Sequence, residues 1–406
     1  MPSRILVFHN RYRWPGGEDT VVRDEIDLLH TRGHEMMEHI EDNRSVLNRG
    51  RVATLATLWR AAWSKRVYVE TQELVRKVRP DIVHVHNFWF ALSPSVVTAC
   101  HDVGLPVVAT LHNFRLLCVG GVLLDPRGQA CDHCVGRSPA PGVRRGCYRS
   151  SHLLSYFVAR MIKVNRKRGT WRKDVDLFLV PSDFCRSVFI RGGFPEEQIS
   201  VRPHFVPDPL PETHAVPPPL PEQARVLFLG RLSREKGLGT LLSAWPDVEC
   251  ATGAQLRLVG DGPLRAELEA QASGRNVSFA GHVPSERVME EVAKASLIVL
   301  PSECYETFGR SIVEGYAMGR PAVVGRIGGP AEIVRDGETG LFFRPSDASD
   351  LAGKLARLLT DAELLRRLGE AGRSEYLALY SPQKAYARMM NQYERVLQAG
   401  ALGTPG

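Results

Sequence analysis

The chain has 406 residues, 44% of them hydrophobic and 24% charged, with a formal net charge of +7. That length exceeds one core of ordinary size and predicts two domains, while the composition lies close to the globular average. No run of about 18 uncharged apolar residues occurs, which excludes a spanning helix, and the apolar stretch in MPSRILVFHN is too short for a signal peptide, so a cytoplasmic protein is expected.

The charge is unevenly spread. Residues 1–200 hold 29 Lys and Arg against 20 Asp and Glu, an excess of nine, whereas residues 201–406 carry a deficit of two. A basic half calls for an anionic partner: nucleic acid, anionic lipid or a phosphorylated substrate.

In chain order, RILVFH (4–9) is a strand and is followed by a glycine-containing loop, Trp14-Pro15-Gly16-Gly17. A helix follows, with Val21, Val22, Ile26, Leu28 and Leu29 apolar and Glu18-Asp19 in its first turn; Gly33 ends it. Residues 51–79 mix Leu55, Leu58, Trp59, Trp63 and Val67 with Arg51, Arg60, Lys65 and Arg66, and residues 160–173 read RMIKVNRKRGTWRK. Each pattern fits a basic, aromatic helix on an anionic membrane surface and equally a core-facing helix with a solvated back. DIVHVHN (81–87), PVVATLHN (106–113) and VDLFLVPS (175–182) are further strands. Strands alternating with helices predict a parallel sheet covered on both faces.

Four of the eight cysteines crowd into an insertion at about 114–150, as Cys118-x12-Cys131-x2-Cys134-x12-Cys147. Four thiolates suit a structural zinc with no open catalytic position; free buried thiols or a disulfide are the alternatives.

Seven prolines in VPDPLPETHAVPPPLPE (206–222) read as a linker between a first domain, 1–205, and a second, 223–381. The second domain restarts the pattern with RVLFLG, QLRLVG, NVSFAG, SLIVLP and PAVVG. An amphipathic helix in 382–406 is expected to return to the first domain. Between the first two of those strands, Gly230-Arg231-Leu232-Ser233-Arg234-Glu235-Lys236-Gly237 forms a strand-to-helix turn. Ligands of open α/β sheets bind beyond the carboxyl ends of strands, where a helix start offers free N–H groups to an anion. Arg231 supplies a planar fork and Lys236 a point charge, together suited to a pyrophosphate. Further on, PSECYETFGRSIVEGYAMGRPAVVG contains Glu306 and, after seven residues, Glu314. Phe308-Gly309 is expected to open a helix that carries Glu314 about 12 Å beyond Glu306.

The pairing of GRLSREKG with this E-x7-E segment resembles the retaining glycosyltransferases of family 4, which have the GT-B fold. The likeness extends through the Gly-Gly loop, VGDGP (259–263), GHVP (281–284) and DGETGLFF (336–343). It implies an α/β protein of two Rossmann-like parallel-sheet domains facing across a cleft. It also implies transfer of a sugar from a nucleoside diphosphate to an acceptor hydroxyl, with retention and without a catalytic metal. By this resemblance Arg231 and Lys236 bind the donor diphosphate. Glu306 and main-chain groups of Thr307, Phe308 and Gly309 meet the transferred sugar, and Glu314 meets the ribose. Backbone near His282 and Val283 meets the base, Gly16 and Gly17 approach the phosphates, and His112 contacts the donor sugar. Gly315-Tyr316 departs from the family's usual Glu-Ala and should alter packing under the helix. A lipid-linked acceptor in surface-polysaccharide or glycolipid assembly is the expected partner, with a peripheral position on the inner leaflet. A soluble natural-product acceptor is the alternative. A nucleic-acid binder or a silent sugar-nucleotide binder ranks below both.

Overall fold

Twelve short strands fall into two sheets in the computed structural model, which describes residues 3–11, 16–44, 50–210 and 216–402. The first sheet comprises β1 (Arg4–Arg11), β2 (Glu35–Asp42), β3 (Ile82–Val85), β4 (Val107–Thr110), β5 (Leu177–Val180) and β6 (Ile199–Val201), in the order β2-β1-β3-β4-β5-β6. The second comprises β7 (Arg225–Leu229), β8 (Gln255–Val259), β9 (Val277–Gly281), β10 (Leu297–Leu300), β11 (Ala322–Gly325) and β12 (Gly340–Phe343), in the order β12-β11-β10-β7-β8-β9. All pairings are parallel. β3, β4, β5, β10 and β11 are buried along their whole length, which is why they read as unbroken apolar runs.

The sequence pattern missed three of the four edge strands. β2, EMMEHIED, is only partly buried and lies at a sheet edge, so it has no apolar run to betray it. β6 has three residues, too few for a periodic signal. β12 lies inside the DGETGLFF motif, where the turn residues hide it.

Two compact units result: residues 1–127, 131–202 and 386–406 in one, and residues 128–130 and 203–385 in the other. In the first unit, Met389, Tyr393 and Val396 of the helix Pro382–Leu402 join Ile5, Val7, Ile82, Val108 and Leu177 in one core. Their spacing of four and three puts them on one helix face. Burying each such side chain contributes roughly 2 kcal/mol. In the second unit, apolar side chains cover both faces of the sheet, with Trp245 and Leu241 in one cluster and Ile312, Tyr316 and Tyr376 in the other.

The prolines do not keep residues 206–222 out of that core. Val206 is buried, Asp208 pairs with Arg373 at 3.0 Å, and the Pro219 carbonyl accepts from buried Arg320 at 2.9 Å. Proline restricts φ and removes a donor but leaves a carbonyl, so the segment docks by its acceptors. Residues 211–215 of the stretch lie outside the described residues. The departure at Gly315-Tyr316 has a local reason. A Cβ at Gly315 would stand 2.5 Å from Ile298 of β10, so only glycine lets the helix lie this close, and Tyr316 fills the adjoining core with its hydroxyl 2.7 Å from Thr339.

Gly237 shows the same close approach at the turn after β7. Its φ is +65°, and a Cβ there would lie 1.9 Å from the Pro301 carbonyl oxygen. Gly239, two residues on, has open space around its would-be Cβ. Gly237→Ala should therefore lower Tm markedly, since strain of about 1–3 kcal/mol adds to the overlap. Gly239→Ala, within the helix Leu238–Thr252, should leave Tm unchanged or raise it. Calorimetry of the two variants checks this, and equal Tm values would contradict the close packing.

Candidate functional site

Strand order reverses between β7 and β10 in the second sheet and between β1 and β3 in the first. At such a point neighbouring loops diverge and leave a crevice at the carboxyl edge. Lys236 and Glu306 lie on the loops after β7 and β10 at one such point, and Gly16 and His86 follow β1 and β3 at the other.

In the second unit the turn after β7 becomes a short 3-10 helix, Arg234–Lys236, closed by Gly237 in the left-handed region. Lys236 Nζ donates to Glu306 Oε2 at 2.8 Å, and both side chains are mostly buried. Burial alone would lower the Lys236 ammonium, but the Glu306 charge and hydrogen bond outweigh it and raise its pKa. Ser302, after β10, donates to the other Glu306 oxygen. Arg231 is exposed at the same turn. His282 is exposed just past the end of β9, and Val283 beside it packs on the core.

Glu306 is not helical. The helix begins at Arg310 and runs to Ala317, with Gly309 in a non-helical conformation before it. The two glutamates are thus not eight helical residues apart, because Glu306 sits in the loop after β10. Its main chain is fixed instead by a second glycine pair: Gly329 N donates to the Glu306 carbonyl at 2.9 Å, and Gly328 has φ of +67°. Phe308 is buried with its ring 5.2 Å from His204, so its side chain anchors the loop and only its main chain is left for a ligand. A Cβ on Gly329 would stand 2.3 Å from the Thr307 carbonyl oxygen, which places that glycine directly against Thr307. Glu314 accepts from Arg310 Nε at 3.0 Å, and Arg310 also donates to the Phe205 carbonyl. Arg310 and the Gly328-Gly329 pair escaped the sequence reading because their roles rest on contacts across the loop.

In the first unit, Gly16 caps the helix Gly17–Thr31: its N–H donates to Asp19 Oδ2 at 3.0 Å, and its carbonyl accepts from Asp19 N. Trp14 and Pro15 of that loop lie outside the described residues. Asp19 Oδ1 also lies 2.8 Å from His9 Nε2. His112 follows β4, and its Nε2 is 3.0 Å from His86 Nδ1. Behind His86 stands Glu25, 3.7 Å from His86 Nε2 and 2.6 Å from Arg202 Nη2.

Glu25 and Arg202 are each 2% exposed. Burial lifts the Glu25 carboxyl and Arg202 opposes that rise. Burial, with the neighbouring histidines and Arg202, holds His86 well below its usual value, so it is neutral. His86 thus stands between Glu25 and His112, and its Nδ1 shares one hydrogen bond with His112 Nε2. Glu25, His84 and His86 bring donor atoms within 4.8 Å of one another, as a metal site does. Their bonds argue otherwise: His84 is held by Tyr393 and Thr110 at 2.7 Å each, and the Arg202 guanidinium lies against Glu25.

The four cysteines of the insertion line one small pocket with His133 and Arg145. Of the tryptophans beside basic residues, Trp171 is a core residue, stacked between Phe88 and Phe194. Trp59 is 52% exposed, with the Arg160 guanidinium 4.0 Å above its ring. Among the described residues no helix is long and apolar enough to cross a membrane.

Residues 15–208 match the family described as Glycosyltransferase Family 4, and residues 223–361 match Glycosyl transferases group 1. A 2-deoxystreptamine N-acetyl-D-glucosaminyltransferase of Niallia circulans is 32% identical over 173 residues, 41% of this chain and 44% of its own. A phosphatidyl-myo-inositol mannosyltransferase of Mycobacterium leprae is 33% identical over 180 residues, 43% of this chain and 48% of its own. Each match thus spans less than half of the relative's length. The crystal structure of Anabaena Alr3699/HepE in complex with UDP-glucose superposes with a TM-score of 0.66 at 17% identity, covering 96% of this chain and 99% of that one. At that identity the likeness speaks for the fold.

Glu18, in the first turn of the helix Gly17–Thr31, has its Oε1 buried and its Oε2 3.4 Å from Asn113 Nδ2. Burial, then the Asp19 charge, pushes its carboxyl up to about 8, against the pull of Arg115 and Asn113. Above about 4.5 the unfolded chain releases this proton while the folded chain keeps it, so stability falls as pH rises toward about 8. Glu18→Gln imitates the protonated group and should remove that slope. Its stability advantage over the wild type, read by denaturant titration, should grow from acid to mildly alkaline pH; an advantage constant with pH would mean that Glu18 is ionised in the fold.

Proposed function

From a chain that belongs to the group 1 glycosyltransferases of family 4 and has the GT-B fold, we propose a retaining transferase that moves a sugar from a nucleoside diphosphate to an acceptor hydroxyl. The observation that carries the reading is the Lys236–Glu306 pair at the point where the second sheet reverses its strand order. A diphosphate docked there meets Lys236 and the exposed Arg231, and releases Glu306 to accept hydrogen bonds from sugar hydroxyls. Glu314, held by Arg310, is the ribose acceptor in this reading, and the main chain near His282 and Val283 meets the base.

In the step itself the bond from the anomeric carbon to the diphosphate oxygen breaks, and the bond to the acceptor oxygen forms on the same face. The acceptor proton passes to the departing phosphate. Lys236 and Arg231 hold the charge that develops there, which is where preorganised cations contribute most. In the first unit, His112, which shares a hydrogen bond with His86, and the Gly16-Gly17 turn are the candidate residues of this reading. The donor complex of the structural neighbour and the transferase names of both relatives support this reading.

For the acceptor, a lipid-linked hydroxyl at an anionic membrane surface is favoured by one observation. Leu55, Trp59, Leu153 and Tyr156 are exposed on two helices that Arg160 ties together, donating to the Trp59 carbonyl. An apolar patch beside basic side chains suits a headgroup boundary. The name of the N. circulans relative favours the second reading, a soluble aglycone.

Lys236→Ala and Arg231→Ala should each lower turnover of a nucleoside-diphosphate sugar by about 100-fold or more, a loss of roughly 3 kcal/mol of transition-state stabilisation. Circular dichroism should show the fold retained, and nuclear magnetic resonance of the product should show the donor's anomeric configuration. Turnover near wild type in both variants would remove the site.

Vesicle sedimentation tests the acceptor. Binding should rise with anionic lipid, fall with salt, and weaken in the triple variant Leu55→Ser, Trp59→Ser, Tyr156→Ser. Wild-type protein that ignores anionic vesicles at low salt would put the soluble acceptor first.

A further inference from the structure

The insertion between β4 and the helix His152–Arg168 is long and has little regular structure; its one helix is Ala140–Arg144. Segments of that length in compact domains usually need something beyond backbone bonding to hold them. Phe114 and Leu117 pack inward, yet much of 125–138 is exposed. What converges inside the insertion is sulfur. Cys118, Cys131, Cys134 and Cys147 line one pocket of about 10 Å³, the room of a single atom-sized guest.

The chain is folded to aim these side chains. Cys131 N donates to the Leu123 carbonyl at 2.8 Å, bringing those two stretches of the loop together, and Cys147 N donates to the Gly142 carbonyl at 2.9 Å, closing the turn after the helix Ala140–Arg144. Gly121, with φ of +81°, turns the chain back over Cys118, and Gly136 at +66° turns it after Cys134. Sulfurs gathered in this way need a cation if they are to be held as thiolates away from water. All eight cysteines of the chain are free, so no disulfide accounts for the convergence.

We propose that Cys118, Cys131, Cys134 and Cys147 together bind one zinc ion, which staples the insertion to the first unit. On binding, each thiol that ligates releases its proton to solvent and forms a zinc–sulfur bond. The sulfurs stand further apart than a bound ion allows, since they do not gather within 4.8 Å as the Glu25, His84 and His86 donors do. Cys131 accounts for part of this: its sulfur is engaged by His133 Nδ1 at 3.4 Å and Arg145 Nη1 at 3.7 Å. Zinc–sulfur bonds of about 2.3 Å would draw the four inward. Four thiolates close the coordination shell, so the ion is structural and takes no part in sugar transfer.

Elemental analysis of untagged full-length protein tests the proposal without reference to activity. One zinc per chain is expected, and replacement by cobalt(II) should give the charge-transfer and visible bands of a tetrahedral all-thiolate site. Cys131→Ser and Cys134→Ser should lose the metal or bind it at least tenfold more weakly, whereas His133→Ala should keep it. If the serine variants do not fold, the wild-type protein still decides. Chelator treatment should expose four additional thiols to a sulfhydryl reagent and lower Tm. Metal-free protein with all eight thiols reactive after expression with zinc, a thiol count short by two from a disulfide, or loss of metal in His133→Ala would each overturn the assignment.

Discussion

Parallel pairing of the strands is the constraint from which the rest follows. It puts every strand's carboxyl end on one edge of its sheet, so each loop that leaves a strand there can contribute to one site. In the second unit the neighbours β11-β10-β7-β8-β9 deliver, in that order, Gly328, Glu306, Lys236, Asp261 and His282. Lys236 and Glu306, 70 positions apart, thereby become neighbours. At the reversal between β7 and β10 the two diverging loops are joined by the Lys236–Glu306 pair.

A buried ion pair does comparable work in the first unit. Glu25 and Arg202 are joined at 2.6 Å with almost no solvent contact. Such a pair adds little net stability, yet removing one partner strands the other charge at a cost of about 3–5 kcal/mol. Its return is orientation. Glu25 faces His86, His86 faces His112, and Arg202 also reaches Thr110, which holds His84. A histidine at a strand end is thus packed into a row of rings and a carboxylate that distant parts of the chain supply.

The second unit solves the problem of close backbone approach with glycine at turns where another residue would overlap a neighbouring carbonyl. Gly237 against Pro301 and Gly328 against Glu306 hold the two charged loops of the second unit together. The Cys-rich insertion meets a different problem, a long loop with a small apolar core, and its geometry points to sulfur as the remedy.

Local chemistry determined much of this protein. Apolar runs marked the central strands because both faces of a parallel sheet are buried, and the resemblance carried by GRLSREKG and the E-x7-E segment pointed to the family and, through it, to the fold. The positions of Lys236 and Glu306 in the chain were legible; their ion pair was not, since seventy residues separate them. Only the tertiary structure showed Glu306 in a loop rather than on the helix, because the helix start depends on the conformation at Gly309. It also showed Trp171 in the core and Trp59 at the surface, although both are tryptophans beside basic residues. The edge strand β2 and the chain from Arg202 through Glu25 and His86 to His112 left no periodic or motif signal. Partly buried charge and contacts between distant strands are decided by which elements pack together, and a local pattern carries no record of that.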